Sequence, residues 1–181
     1  MDRCEECGFV YAAVARGRLP GEIRGLPRQF GERLRAANRA GSARTRVPPR
    51  TWSTLEYACH VRDVLRVQRQ RVRLTLAEDR PTFASMRRDE RAVEERYNEQ
   101  DPDEVLAELE ATAEALAESL ASLSDEQWAR TGVYNWPEPA ERSLTWIARH
   151  TVHEGIHHLG DIDAIIGGTD RSARMPSRPE R

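Results

Sequence analysis

The sequence predicts an all-α fold: a four-helix bundle over residues 20–167, with a short irregular segment (1–19) before it and a disordered tail (168–181) after it. Three observations carry this. Apolar residues recur at spacings of three and four along four separate stretches, each several turns long. Capping residues stand where three of these stretches begin, and no segment carries a strand-like alternation of any strength. The 181 residues suit one domain, long enough to bury a core without staples.

The first helix is predicted from Pro20 to Ala40, where Ile23, Leu26, Phe30 and Leu34 share a face; Pro27 makes its first turns uncertain. A polar loop, Gly41 to Arg50, ends in Pro48-Pro49. Ser53 then caps a second helix running to about Glu78, with Glu56 three residues on completing a capping box. Leu55, Ala58, Val61, Leu65, Val72 and Leu76 form its apolar stripe. Residues 81–100 read as charged and irregular, anchored by Phe83, Met86 and Tyr97.

Asp101-Pro102-Asp103-Glu104 starts a third helix, with Pro in the first turn and acids at the positive end of the dipole. It runs to about Leu123 with Val105, Leu109, Leu116 and Leu120 inward. Ser124 to Arg142 is a long connection whose Trp128, Tyr134 and Trp136 either wall a pocket or lid the core. Ser143 caps the last helix, from Leu144 to about Ile166, stopped by Gly167-Gly168. The Arg/Ser/Pro-rich remainder lacks the apolar content to fold.

Composition narrows the function. The formal net charge is −2, so no global basic field draws the chain to nucleic acid or anionic membrane. All 28 basic residues are Arg, which with abundant Ala suggests a GC-rich genome. No apolar run approaches the ~20 residues that span a bilayer, and no signal-peptide pattern opens the chain. A cytoplasmic protein, monomer or homodimer, is the expectation. In that compartment three cysteines argue against a disulfide framework.

Four of the five histidines fall in nine residues, His150-Thr151-Val152-His153-Glu154-Gly155-Ile156-His157-His158. Histidine is the commonest metal-binding side chain, so the cluster reads as a metal site. At about 100° per residue, Leu144, Ile147, Ala148, Leu159, Ile162, Ile165 and Ile166 define one apolar arc. Glu154 and His158, four residues apart, lie on its edge. His153 and His157 fall on nearly the opposite side, with His150 between the groups.

This arrangement weighs two motifs against each other. His153-Glu154-Gly155-Ile156-His157 matches HExxH of zinc proteases, but its two imidazoles would face away from the bundle, and neither a third ligand nor a cleft-forming sheet is visible. Glu154 and His158 together with His60 from the second helix supply two imidazoles and a carboxylate, leaving a coordination position open for water or substrate. Alone, His60 reads as a surface or packed imidazole; beside an inward Glu/His pair it reads as a ligand. Near the N-terminus, Cys4-Glu5-Glu6-Cys7-Gly8 resembles half of a zinc knuckle. Cys59 or a histidine of the cluster would have to complete it. The alternatives are a reduced exposed pair or an occasional disulfide.

Trp52-Ser53-xx-Glu56-xxx-His60 on the second helix, the Asp125-Glu126-Gln127-Trp128 loop and the final His157-His158-x-Gly160-Asp161-Ile162 resemble the DinB/YfiT-like superfamily over residues 20–167. The similarity is greatest to its actinobacterial branch, which includes the mycothiol-dependent maleylpyruvate isomerases. The resemblance implies an up-down-down-up bundle with a divalent metal, zinc or nickel, near one end. Its ligands are a His on helix two and an i, i+4 pair on the last helix, which falls here on His60, Glu154 and His158. Cys4/Cys7 and the extra His150, His153 and His157 depart from the family pattern, and the expectation is a bundle without the isomerases' C-terminal domain.

The resemblance therefore points to a metal-dependent S-transferase in which a low-molecular-weight thiol such as mycothiol attacks a small electrophile. His157 or His150 would then orient the ligands. Metal-dependent hydrolysis at the same position is the second reading. A non-enzymatic bundle, its Cys4 and Cys7 joined to histidines in a closed site, is the third.

Overall fold

The computed structural model describes residues 3–47, 52–135 and 138–167. The expected tail, Pro48-Pro49 and Trp136 lie outside these. Four long helices dominate: α1 (Leu19–Arg39), α2 (Thr54–Ala77), α4 (Pro102–Ala121) and α6 (Leu144–Ile166). Two short ones, α3 (Arg88–Glu94) and α5 (Asp125–Ala129), sit in the connections. Around the bundle, α1 neighbours α4 and α6, and α2 neighbours the same two.

Specific contacts give the directions. Leu26 packs on Gly155 and Arg33 pairs with Asp163, so α1 and α6 run the same way. His60 stands by Glu154, whereas Arg71 lies over Tyr134, itself packed on His150, so α2 runs against α6. Arg62 binds Glu108, and Arg73 shares a groove with Ala115, so α2 and α4 run together. The order is up-down-down-up. Successive parallel helices need a crossover back along the bundle, which accounts for the long stretch 78–101.

Local chemistry sets the helix starts. The Ser53 hydroxyl accepts from the Glu56 N–H while the Glu56 carboxylate accepts from the Ser53 N–H, a complete capping box. Arg46 pairs with the buried Glu56, so the same carboxylate also ties down the α1–α2 loop. Asp101 caps α4 through the N–H groups of Asp103 and Glu104, with Pro102 in the first turn. Ser143 caps α6. Pro27 stays inside α1, in its third turn.

Two expectations are corrected. The connection from Ser124 to Ser143 carries an antiparallel pair of strands, β1 (Thr131–Tyr134) with β2 (Ala140–Ser143), and Thr82 bridges to Val133 beside it. Strands of four residues are too short to show a period of two, and Gly132 is needed because a Cβ there would sit 2.3 Å from Phe83 Cζ. Residues 81–100, expected to be irregular, contain α3 and a 3₁₀ turn at Tyr97–Glu99. This crossover buries the polar side of α2. Arg62 and Asp63 are nearly inaccessible, and the Tyr97 hydroxyl donates to Asp63 at 2.5 Å. Arg62 also donates to Asp63, Gln100 and Glu108, so each buried charge is matched.

Candidate metal centre

His60 lies in the second turn of α2, and Glu154 and His158 stack one turn apart on α6. Antiparallel packing brings the three together. Their ligand atoms all lie within 4.8 Å of one another, with Glu154 Oε2 3.9 Å from His60 Nε2 and 3.7 Å from His158 Nε2. His60 is buried, and neither of its ring nitrogens has a hydrogen-bond partner. A buried polar ring left in this state is costly unless something binds it. The donor set of two imidazoles and one carboxylate suits a divalent transition metal, so these residues fit the ion that the sequence resemblance implies.

Without a bound ion the two imidazoles differ in charge. Burial holds the His60 pKa down to about 4, which keeps a lone pair available at neutral pH. Burial opposes the charge on Glu154, but the His153, His158 and His60 imidazoles, 3.4–3.9 Å from its oxygens, prevail and hold its carboxyl well below the ordinary range. His158 is pushed up to about 9: burial opposes its proton, yet Asp161 and Glu154 together outweigh that. Its Nδ1 lies 2.9 Å from Asp161 Oδ2, leaving Nε2 toward Glu154. Trp52 packs edge-on against His60 at 4.9 Å and Tyr57 lies 5.2 Å from the His158 ring, so two aromatics wall the set.

The other candidates divide: His150 borders Glu154, and His157 does not. His150 Nε2 is 3.6 Å from Glu154 Oε1, and its Nδ1 is 2.8 Å from the Tyr11 hydroxyl. His157 does not reach Glu154; Asp161 stands between it and His158, and its Nδ1 faces Cys4. His153 and His157 do point away from the four-helix core, but not to solvent, because residues 3–18 fold over that face of α6. His153 is 7% exposed, beneath Phe9 and Tyr11. The ligand atoms of Cys4, Cys7, His153 and His157 form a second set, again within 4.8 Å of one another. Cys59 is not part of it: it is buried against Tyr97 and Gln100.

Sequence reasoning passed over Asp161 and Tyr11. Asp161 was findable, since i and i+3 on a helix are neighbours. Tyr11 carried no local signal.

A bundle in this order with a His/Glu/His set between its second and last helices invites comparison with known families. A family model described as the DinB superfamily matches residues 21–162. The chain belongs to the DinB superfamily. Among solved structures, this DinB chain is similar to YfiT from Bacillus subtilis, described as a probable metal-dependent hydrolase with an unusual four-helix bundle topology. The TM-score is 0.72 at 17% identity, covering 84% of this chain and 87% of that one. No curated protein matches the DinB chain. No helix among its described residues is long and apolar enough to cross a membrane.

Proposed function

We propose that this DinB bundle is a metal-dependent transferase that activates a low-molecular-weight thiol of the mycothiol class for attack on a small electrophile. The observation that carries the metal dependence is His60, a buried imidazole with two unpartnered nitrogens, aimed at Glu154 and His158. His60, Glu154 and His158 would hold the divalent ion, zinc or nickel. When bound, it supplies Lewis acidity that lowers the pKa of a thiol or a water beside it.

The chain's own groups do the positioning. Asp161 accepts the His158 Nδ1–H and presents Nε2 to the centre. Glu154 turns Oε2 to His60 and His158, while Oε1 faces His150 and His153, which restrains the carboxylate from behind. Trp52 and Tyr57 keep bulk water from the imidazoles on their side. Three protein ligands leave room for a substrate atom, as in catalytic sites.

The thiol is suggested by the likeness to the mycothiol-dependent isomerases. Hydrolysis is the second reading, favoured by the description of YfiT, which shares the fold. The deciding experiment is turnover of electrophile and ester panels by the zinc-loaded protein, with and without thiol. Loss of a free thiol in step with electrophile consumption, abolished in His60→Ala, supports transfer. Hydrolysis with no thiol requirement moves the assignment to the second reading, and inertness in both panels overturns both.

A further inference from the structure

Residues 3–18 contain only two single-turn helices and one isolated bridge, Arg3 with Val10. Such a segment has little of its own to hold it in place. Its Cys-x-x-Cys turn is nevertheless sharply defined. The Cys4 N–H donates to Phe9 O, the Gly8 N–H donates to Cys4 O, both at 2.9 Å, and Gly8 adopts φ +74°, a value glycine tolerates without strain. The turn presents both sulfurs to the outer face of α6, where His153 and His157 stand one turn apart.

We infer that Cys4, Cys7, His153 and His157 form a second metal site, a closed zinc-type Cys2His2 centre that fastens the N-terminal segment to α6. Tetrahedral zinc with sulfur at about 2.3 Å and nitrogen at about 2.0 Å requires ligand–ligand edges of roughly 3.3–3.8 Å. Cys4 Sγ and His157 Nδ1 are already 3.9 Å apart, and the full set lies within 4.8 Å, so closing it takes side-chain adjustments of about 1 Å.

The outer nitrogens of both rings are held as ligating histidines require. His157 Nε2 lies 3.3 Å from Glu6 Oε2, leaving Nδ1 for the ion. His153 Nδ1 lies 3.2 Å from the Tyr11 hydroxyl and 3.4 Å from Glu154 Oε1. Its Nε2 is buried with no hydrogen-bond partner. Two thiolates would balance the charge of a divalent ion. Four protein ligands leave no position for substrate, so the centre is structural.

This also resolves the HExxH pattern. Its two histidines belong to the closed site and its glutamate to the open one, so His153 and Glu154 join the two centres back to back. The inference does not rest on the transferase reading.

Metal content and cobalt spectra test it, on protein purified under reducing conditions and loaded with zinc or cobalt(II). Wild type should carry two equivalents of zinc, Cys4→Ser/Cys7→Ser one and His60→Ala one. Cobalt-loaded wild type and His60→Ala should both show the intense near-ultraviolet thiolate-to-cobalt band, and chelation should unmask two thiols to an alkylating reagent. The native chain thus supplies a test even if the cysteine variant does not fold. Equal zinc in wild type and the cysteine variant, a saturated protein without the thiolate band, or a Cys4–Cys7 disulfide with no ion on those residues would each overturn the second site. Two equivalents retained in His60→Ala would overturn the open centre instead.

Discussion

His158 donates its Nδ1–H to Asp161, three residues along α6, at 2.9 Å. That bond fixes which nitrogen the ring offers to Glu154 and His60. Asp161→Asn keeps the size of the side chain but weakens the acceptor and frees the tautomer. Outer partners of this kind are worth about 10–100-fold in metal affinity. Because Asp161 Oδ2 also lies 3.7 Å from His157, the comparison belongs in the Cys4→Ser/Cys7→Ser background, titrated with zinc against a competing chelator. Unchanged affinity would show that Asp161 does not orient His158.

The stability of chelator-treated protein should peak near pH 6.5. Burial holds His60 and His150 at about 4 against an ordinary 6.5, so the unfolded chain takes up these protons first. Their contribution is complete above pH 6.5 and fades as pH falls through 4. His158, held at about 9, behaves oppositely: its contribution is complete below 6.5 and is lost as pH rises through 9. Urea midpoints measured from pH 4 to 9 should therefore trace a dome. A midpoint that climbs steadily toward pH 4 would contradict the neutral, buried state of His60 and His150.

Gly155 sets how closely α6 approaches α1. A Cβ there would lie 2.5 Å from Leu26 Cδ2 and 2.7 Å from Cδ1, with Leu26 itself fully buried. Helix propensity alone favours Ala over Gly by about 1 kcal/mol. Overpacking typically costs about 1–3 kcal/mol, and here it should win. Gly155→Ala should lower stability in urea at unchanged m-value, and Leu26→Ala should restore part of the loss in the double variant. A stabilised Gly155→Ala would mean that Leu26 yields freely.

Tyr97 spans the crossover and α2 through its bond to Asp63, both side chains fully buried. Burial favours protonation of Asp63, while Arg62 and Tyr97 oppose it and hold the carboxyl low. Tyr97→Phe preserves the ring but removes the donor. Leaving that carboxylate lone pair unsatisfied should cost about 1–3 kcal/mol, read from chemical denaturation, with the full loss at neutral pH, where Asp63 is ionised, and a smaller one as pH falls and the carboxyl takes up its proton. A cost below a few tenths would mean that Arg62 and Arg66 already satisfy Asp63.

The sequence by itself determined the four long helices and the placing of Glu154 and His158 on one edge of the last; the packing of α2 against α6 brings His60 to them. Periodic apolar residues, the Ser53/Glu56 box and the Asp101-Pro102 start act within one or two turns, so neighbours along the chain encode them. An i, i+4 Glu/His pair on the edge of an apolar arc can be read the same way. Tertiary structure alone decided that Tyr11 meets His150 and His153, that Cys4 meets His157, and that Arg62 and Asp63 are buried. These partners are distant in sequence, and a helix wheel can say which way His153 points but not what covers it. The paired strands Thr131–Tyr134 and Ala140–Ser143 belong with them, since strands so short take their pattern from the Phe83 and Trp146 surfaces they pack on.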